Sequence, residues 1–158
     1  MALSALLTPW SLVRLAALIL SLTGIIMLAS ILPTINAHID ILYAYDVETL
    51  YPALAFAGLA WTALYAGAWL FKVLADGGRA WHPGIDVALD FIGWGLNWGM
   101  GGLLLAWIAD PDFLRDACGD DGLYVERDCR LARLVTGVEW TVGLLTIIVG
   151  YVSFSGVF

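Results

Sequence analysis

Charge is what this chain has least of. Only 13% of its 158 residues are Asp, Glu, Lys or Arg, against roughly 25% in an ordinary soluble domain. Hydrophobic residues make up 61% and mean hydropathy is +0.88, so a globule of this composition could not keep its surface wet and the chain belongs in a bilayer. Basic residues are scarce even among the charges. Seven Lys and Arg against fourteen Asp and Glu leave a net charge of −7, which excludes nucleic acid as a partner because phosphate neutralisation needs Lys and Arg. No basic run marks an anionic-lipid patch. Two histidines and two cysteines are too few for haem or metal-centred membrane chemistry. HExxH, Gly-rich phosphate loops and Ser/His/Asp sets are missing, so no catalytic residue, metal or cofactor is expected. Internal repeats and low-complexity segments are missing too, and the length suits one domain over residues 1–158.

Long apolar runs are abundant. Four segments have the roughly 20 residues needed to cross about 30 Å of hydrocarbon: about 12–32, 52–74, 84–109 and 134–157. The opening "MALSALLTPWSLVRLAALILSLTGIIMLASILP" is not read as a signal peptide, since its apolar core after Arg14 is longer than the usual 7–15 residues. Pro33 is expected to stop the first span, Pro52 to open the second, and the "DPD" of Asp110–Asp112 to close the third. The fold class is therefore all-α, an integral-membrane four-helix (tetraspan) bundle.

Four spans put both termini and the loop near 75–83 on one side, and the loops near 33–51 and 110–133 on the other. The segment "IDILYAYDV" of the first loop suits a short helix or strand on the headgroups. Basic residues do not orient the bundle: Arg14, Lys72 and Arg79 lie on one side, and Arg115, Arg127, Arg130 and Arg133 on the other. The cysteines do. Cys118 and Cys129 stand eleven residues apart in one polar loop and can close a small disulfide ring, which persists only in an oxidising compartment. Two free thiols are the alternative reading, whereas zinc would lack ligands. The disulfide reading makes this loop extracellular or lumenal and the termini cytosolic, in the plasma membrane or a secretory-pathway membrane.

Ionisable groups inside a span are functional candidates. Asp86 and Asp90 lie one turn apart at the start of the third span. The helix N-terminal dipole accounts for Asp86. Asp90 lies deeper, in the same leaflet as Arg14, and an Arg14–Asp90 clasp is expected, with a proton relay as the alternative. Glu139 is placed about a turn and a half into the fourth span, near the outer leaflet. That puts it on the order of 10 Å or more from Asp90 along the membrane normal, too far for a carboxylate dyad. Asn97, in mid-span, is expected to hydrogen-bond a neighbouring helix. Gly95 and Gly99 form a small-xxx-small pair, read either as packing within the bundle or as a face for another helix. Of the eight tryptophans, Trp81 and Trp107 suit an interfacial belt. Trp61, Trp94 and Trp98 lie deeper, where they could line a groove for a sterol or acyl chain.

This pattern resembles the MARVEL-type tetraspan proteins, of the compact fungal kind, over roughly residues 10–157. The resemblance rests on "LVRLAALILSLTGIIML", where a basic residue opens the first span, and on the acidic-aromatic stretch "ALDFIGWGLNW". The cysteine pair between spans three and four and the short cytosolic termini add to it. It implies a non-enzymatic bundle that organises membrane domains, vesicle traffic or membrane apposition. Expected partners are membrane lipids, a sterol among them, and lateral protein partners or further copies of the chain. The competing reading is a small membrane enzyme or carrier for a lipid-soluble substrate, with Asp90, Asn97 and Glu139 lining its cavity.

Overall fold

The computed structural model describes residues 8–37, 50–76, 82–108 and 126–154. They form four α-helices: α1 (Pro9–Ala37), α2 (Leu50–Ala75), α3 (Pro83–Ile108) and α4 (Glu126–Phe154). The "IDILYAYDV" segment, the "DPD" stop, Trp81, Cys118 and both chain ends lie outside the described residues.

Local signals set the helix starts. The Thr8 hydroxyl accepts the Ser11 N–H at 3.3 Å, with Pro9 at the first helical position, where a missing N–H costs nothing. At α3 the His82 carbonyl accepts the Ile85 N–H at 2.8 Å and its ring Nδ1 accepts the Gly84 N–H at 3.2 Å. Two expected boundaries are corrected. Helix α1 passes through Pro33 to Ala37; the proline forfeits one backbone bond close to the helix end, where few bonds remain to be broken. Helix α4 begins at Glu126, about two turns before residue 134. Its first turns are amphipathic, with Arg130 and Arg133 exposed while Cys129 and Ala132 are buried, so the charged stretch continues the helix rather than delaying it.

Helices α1, α2 and α4 each contain a stretch long and apolar enough to cross a membrane: Pro9–Ile31, Ala53–Ala75 and Cys129–Val149. Helix α3 has the length, at 26 residues, but Asp86, Asp90, Asn97 and its glycines dilute its apolarity. The polarity of the bundle runs inside out. Arg14, Asp90, Asn97 and Glu139 are buried, while Leu64 and Phe71 are 75% and 73% exposed. Water would penalise that arrangement and hydrocarbon favours it, so the bundle is built for a membrane.

The helices pack in a ring, each against the next, with α4 closing onto α1. Close contacts fix the antiparallel order: Gly24 against Leu59, Gly58 against Leu96 and Asn97, and Gly101 against Glu139 and Trp140. At Gly58 a Cβ would stand 3.4 Å from the backbone of Leu96, so α2 and α3 nearly touch there. Two apolar clusters fill the ends of the interior. One centres on Tyr65, Trp69, Leu70 and Val73, the other on Leu28, Leu59, Leu104 and Val135.

Candidate functional site

The ring leaves α1 and α3 on opposite corners, with no direct packing between them. Arg14 crosses that diagonal. Its Nη1 donates to Asp90 Oδ1, and its Nη2 donates to Asp90 Oδ2 at 2.6 Å and to the Tyr65 hydroxyl at 3.0 Å. This two-pronged geometry is the strong form of an Arg–carboxylate pair, and both residues are almost fully buried, at 2% and 1% exposure. The guanidinium carbon also lies 4.6 Å from the Tyr65 ring centroid and 5.5 Å from that of Trp69, within range of a cation–π attraction. The expected clasp is present.

Asp86 belongs to the same network. It accepts the Tyr65 hydroxyl at 3.1 Å and the Trp69 indole N–H at 3.3 Å. The helix-dipole account of Asp86 was therefore incomplete, and Tyr65 and Trp69 of α2 are site residues that sequence reading missed. A signal existed: two aromatics with polar tips, four residues apart, share one helix face.

Asn97 joins α3 to α2 as expected. Its amide nitrogen donates to Thr62 Oγ1 and to the Gly93 carbonyl, both at 2.7 Å, and approaches the Gly58 carbonyl at 3.4 Å. Backbone carbonyls only accept, which fixes the amide orientation. Its oxygen Oδ1 is buried and has no partner among the described residues.

Glu139 is fully buried, and both of its carboxyl oxygens have no partner among the described residues. Glu139 is the midpoint of the apolar stretch Cys129–Val149 of α4, but it lies level with Gly101, seven residues before the end of α3, and so in the half of the bundle nearer that end. Its Oε2 lies 3.1 Å from where a Cβ of Gly101 would stand. Gly101 is eleven residues beyond Asp90 on α3, about 16 Å of helix rise. Asp90 and Glu139 are thus far apart, and no carboxylate dyad exists.

Of the two readings of Gly95 and Gly99, packing within the bundle is not what the structure shows. A Cβ on either would meet nothing within 4 Å, and Gly102 is equally open. All three lie on one outward face of α3, at intervals of four and three residues. The glycines that admit close packing inside the bundle are instead Gly24, Gly58, Gly101 and Gly143, the last lying directly under the Trp98 ring. Helical phase decides this: Asn97 and Gly101 point inward, so Gly95 and Gly99 cannot.

A groove of about 210 Å³ runs between α3 and α4, lined by Val87, Asp90, Phe91, Trp94, Thr146, Ile147 and Tyr151. Of the three deep tryptophans, Trp94 lines it. Trp98 stacks on Trp140 at 5.0 Å between ring centroids, and Trp61 abuts Gly93. Cys129 begins the buried seam of α4, and the expected disulfide to Cys118 lies outside the described residues. No family model, no curated protein and no solved structure matches this chain.

Proposed function

We propose that this protein is a non-enzymatic tetraspan of the MARVEL type that works by lateral association, as an organiser of membrane domains or as an accessory subunit. In this reading all four helices span the bilayer, α3 being carried by its neighbours. The termini are cytosolic, and the segments before α2 and before α4 are extracellular or lumenal, with Cys118 of the latter bridged to Cys129 in the first turn of α4.

The outward glycine face of α3 carries the reading. Gly95, Gly99 and Gly102 leave open space, flanked by exposed Phe91, Ile92 and Leu103. Inside lipid, hydrophobicity does not drive helices together, and close backbone approach at small residues does. An empty face of this kind is suited to a helix of another protein or of a second copy.

Gly95→Leu and Gly99→Leu test it. Both variants should keep the thermal stability of the wild-type bundle, because nothing inside the bundle touches these positions. Both should lose the higher-order species that cross-linking in membranes and native mass spectrometry are expected to show for the wild type. Unchanged assembly in both variants would reject lateral association through α3.

A second reading rests on the groove beside Asp90 and Trp94: a carrier or enzyme holding a lipid-soluble molecule there. Lipid retained by the purified wild-type protein and lost on Trp94→Ala would favour it.

A further inference from the structure

Of the three buried carboxyl groups among the described residues, Glu139 is the one that the bundle does not answer. Asp90 is paired with Arg14, the one buried cation. Asp86 accepts from Tyr65 and Trp69. Glu139 is fully buried, and neither of its carboxyl oxygens has a partner among the described residues.

The helices around it bring no charge to that level. Among the described side chains, α1 from Leu15 to Ile31 and α3 from Phe91 to Ala106 hold no titratable group. Those described on α2 are Tyr65, bonded to Arg14 and Asp86, and Lys72, bonded to Asp76. On α4 itself Cys129, Arg130, Arg133 and Tyr151 stand six to twelve residues from Glu139, about 9–18 Å of helix rise. Buried N–H groups without a partner among the described residues do occur, on Arg14, Trp61 and Trp94. They lie nearer the start of α3: Trp94 is seven residues before Gly101, Trp61 abuts Gly93, and Arg14 meets Asp90. Each is thus about 10–16 Å of rise from the level of Gly101 and Glu139.

We propose that Glu139 is a pH switch in the α3–α4 seam: the closed bundle holds it as a neutral carboxylic acid, and loss of its proton to solvent parts the two helices there. Burying a carboxylate without a partner costs more than keeping its proton. The closed seam leaves the charged form no remedy. Glu139 Oε2 and Trp140 Nε1 each lie 3.1 Å from the point where a Cβ of Gly101 would stand, so carboxyl and indole are wedged against the same stretch of α3 backbone. The Trp140 ring is also stacked on Trp98 of α3, at 5.0 Å between centroids. An ionised Glu139 needs donors. The neighbouring indole N–H can turn to it only by leaving that stack, and water can reach it only when the seam opens. The switch does not depend on lateral association.

Linkage gives the sign of the effect. A glutamate freed by unfolding titrates near pH ~4.3, so above that pH the folded bundle holds one proton more than the unfolded chain. Each further pH unit then lowers the folding constant about ten-fold, until the folded site itself lets the proton go. The full chain in detergent is melted across a series from mildly acid to mildly alkaline pH. Wild type should lose melting temperature relative to Glu139→Gln as the pH rises, a comparison in which Asp86 and Asp90 cancel. Infrared spectra of protein labelled with ¹³C at glutamate supply a second readout. At neutral pH they should show the carbonyl stretch of a protonated carboxyl group. The Glu48→Gln, Glu126→Gln double variant, whose sole glutamate is Glu139, should keep this band, which assigns it even where Glu139→Gln does not fold. Raising the pH should remove the band and, over the same range, shift the tryptophan emission as Trp140 leaves its stack. Four results would each overturn the proposal: no such band in the double variant at neutral pH, a band that persists to alkaline pH, a band lost without change in tryptophan emission, or parallel pH dependence of melting in wild type and Glu139→Gln.

Discussion

Replacing Arg14 with leucine removes the one buried cation among the described residues and strands two carboxylates beside each other. Asp90 loses both of its charge-assisted bonds, and the Tyr65 hydroxyl that serves Asp86 loses its donor. Breaking a buried ion pair from one side costs about 3–5 kcal/mol. Arg14→Leu should fall at the upper end, because Asp86 adds like-charge repulsion. For a chain of this size each kcal/mol moves the melting temperature by about 2–4 °C, so a drop of about 10–20 °C is expected. Asp90→Leu should cost less, at the lower end of that range. Arg14 keeps its bond to Tyr65, its position over the Tyr65 and Trp69 rings, and Asp86 in the same network. The double change itself strands no buried charge, and Asp86 retains Tyr65 and Trp69 as donors. Apolar replacement of a whole buried pair is often near neutral, so the double variant should recover most of the loss. The assay is thermal unfolding in detergent by tryptophan fluorescence, with size-exclusion profiles to confirm an intact bundle. Additive losses in the double variant would refute the clasp. An Asp90→Leu protein more stable than wild type would point instead to a carboxylate kept for function at the expense of stability.

Further predictions concern other parts of the molecule. Non-reducing peptide mapping should recover Cys118 and Cys129 in one linked fragment, and alkylation of both thiols in untreated membranes would remove the reason for placing that segment outside. Gly143→Ala should destabilise the bundle by about 1–3 kcal/mol, since the new methyl group would run into the Trp98 ring. A paired Gly143→Ala, Trp98→Leu variant should recover part of that loss. Melting at the wild-type temperature in Gly143→Ala alone would mean that the ring moves aside freely.

Much of the architecture could be read from the chain. Hydropathy and length set the helices, because a segment that crosses hydrocarbon must bond its own backbone and must be apolar outside. The Arg14–Asp90 pair was legible for the same reason: two opposite charges buried at the same depth have little choice but to meet. Tyr65 and Trp69 escaped notice because their rings look like ordinary apolar filling until the polar tips have a partner to face. The start of α4 was misread because a charged stretch was taken for loop, whereas its buried side continues the seam of the helix. The role of the glycines stayed undecided for a different reason. Spacing shows that Gly95 and Gly99 share a face, but rotation of α3 about its axis is set by Asn97 reaching Thr62 and by Gly101 making room for Glu139. Composition therefore determined that this chain forms apolar helices with a few charges hidden among them. Only tertiary packing decided which charges are satisfied, which face of α3 stays open, and that Glu139 has no partner among the described residues, because each depends on the phase of one helix against its neighbours.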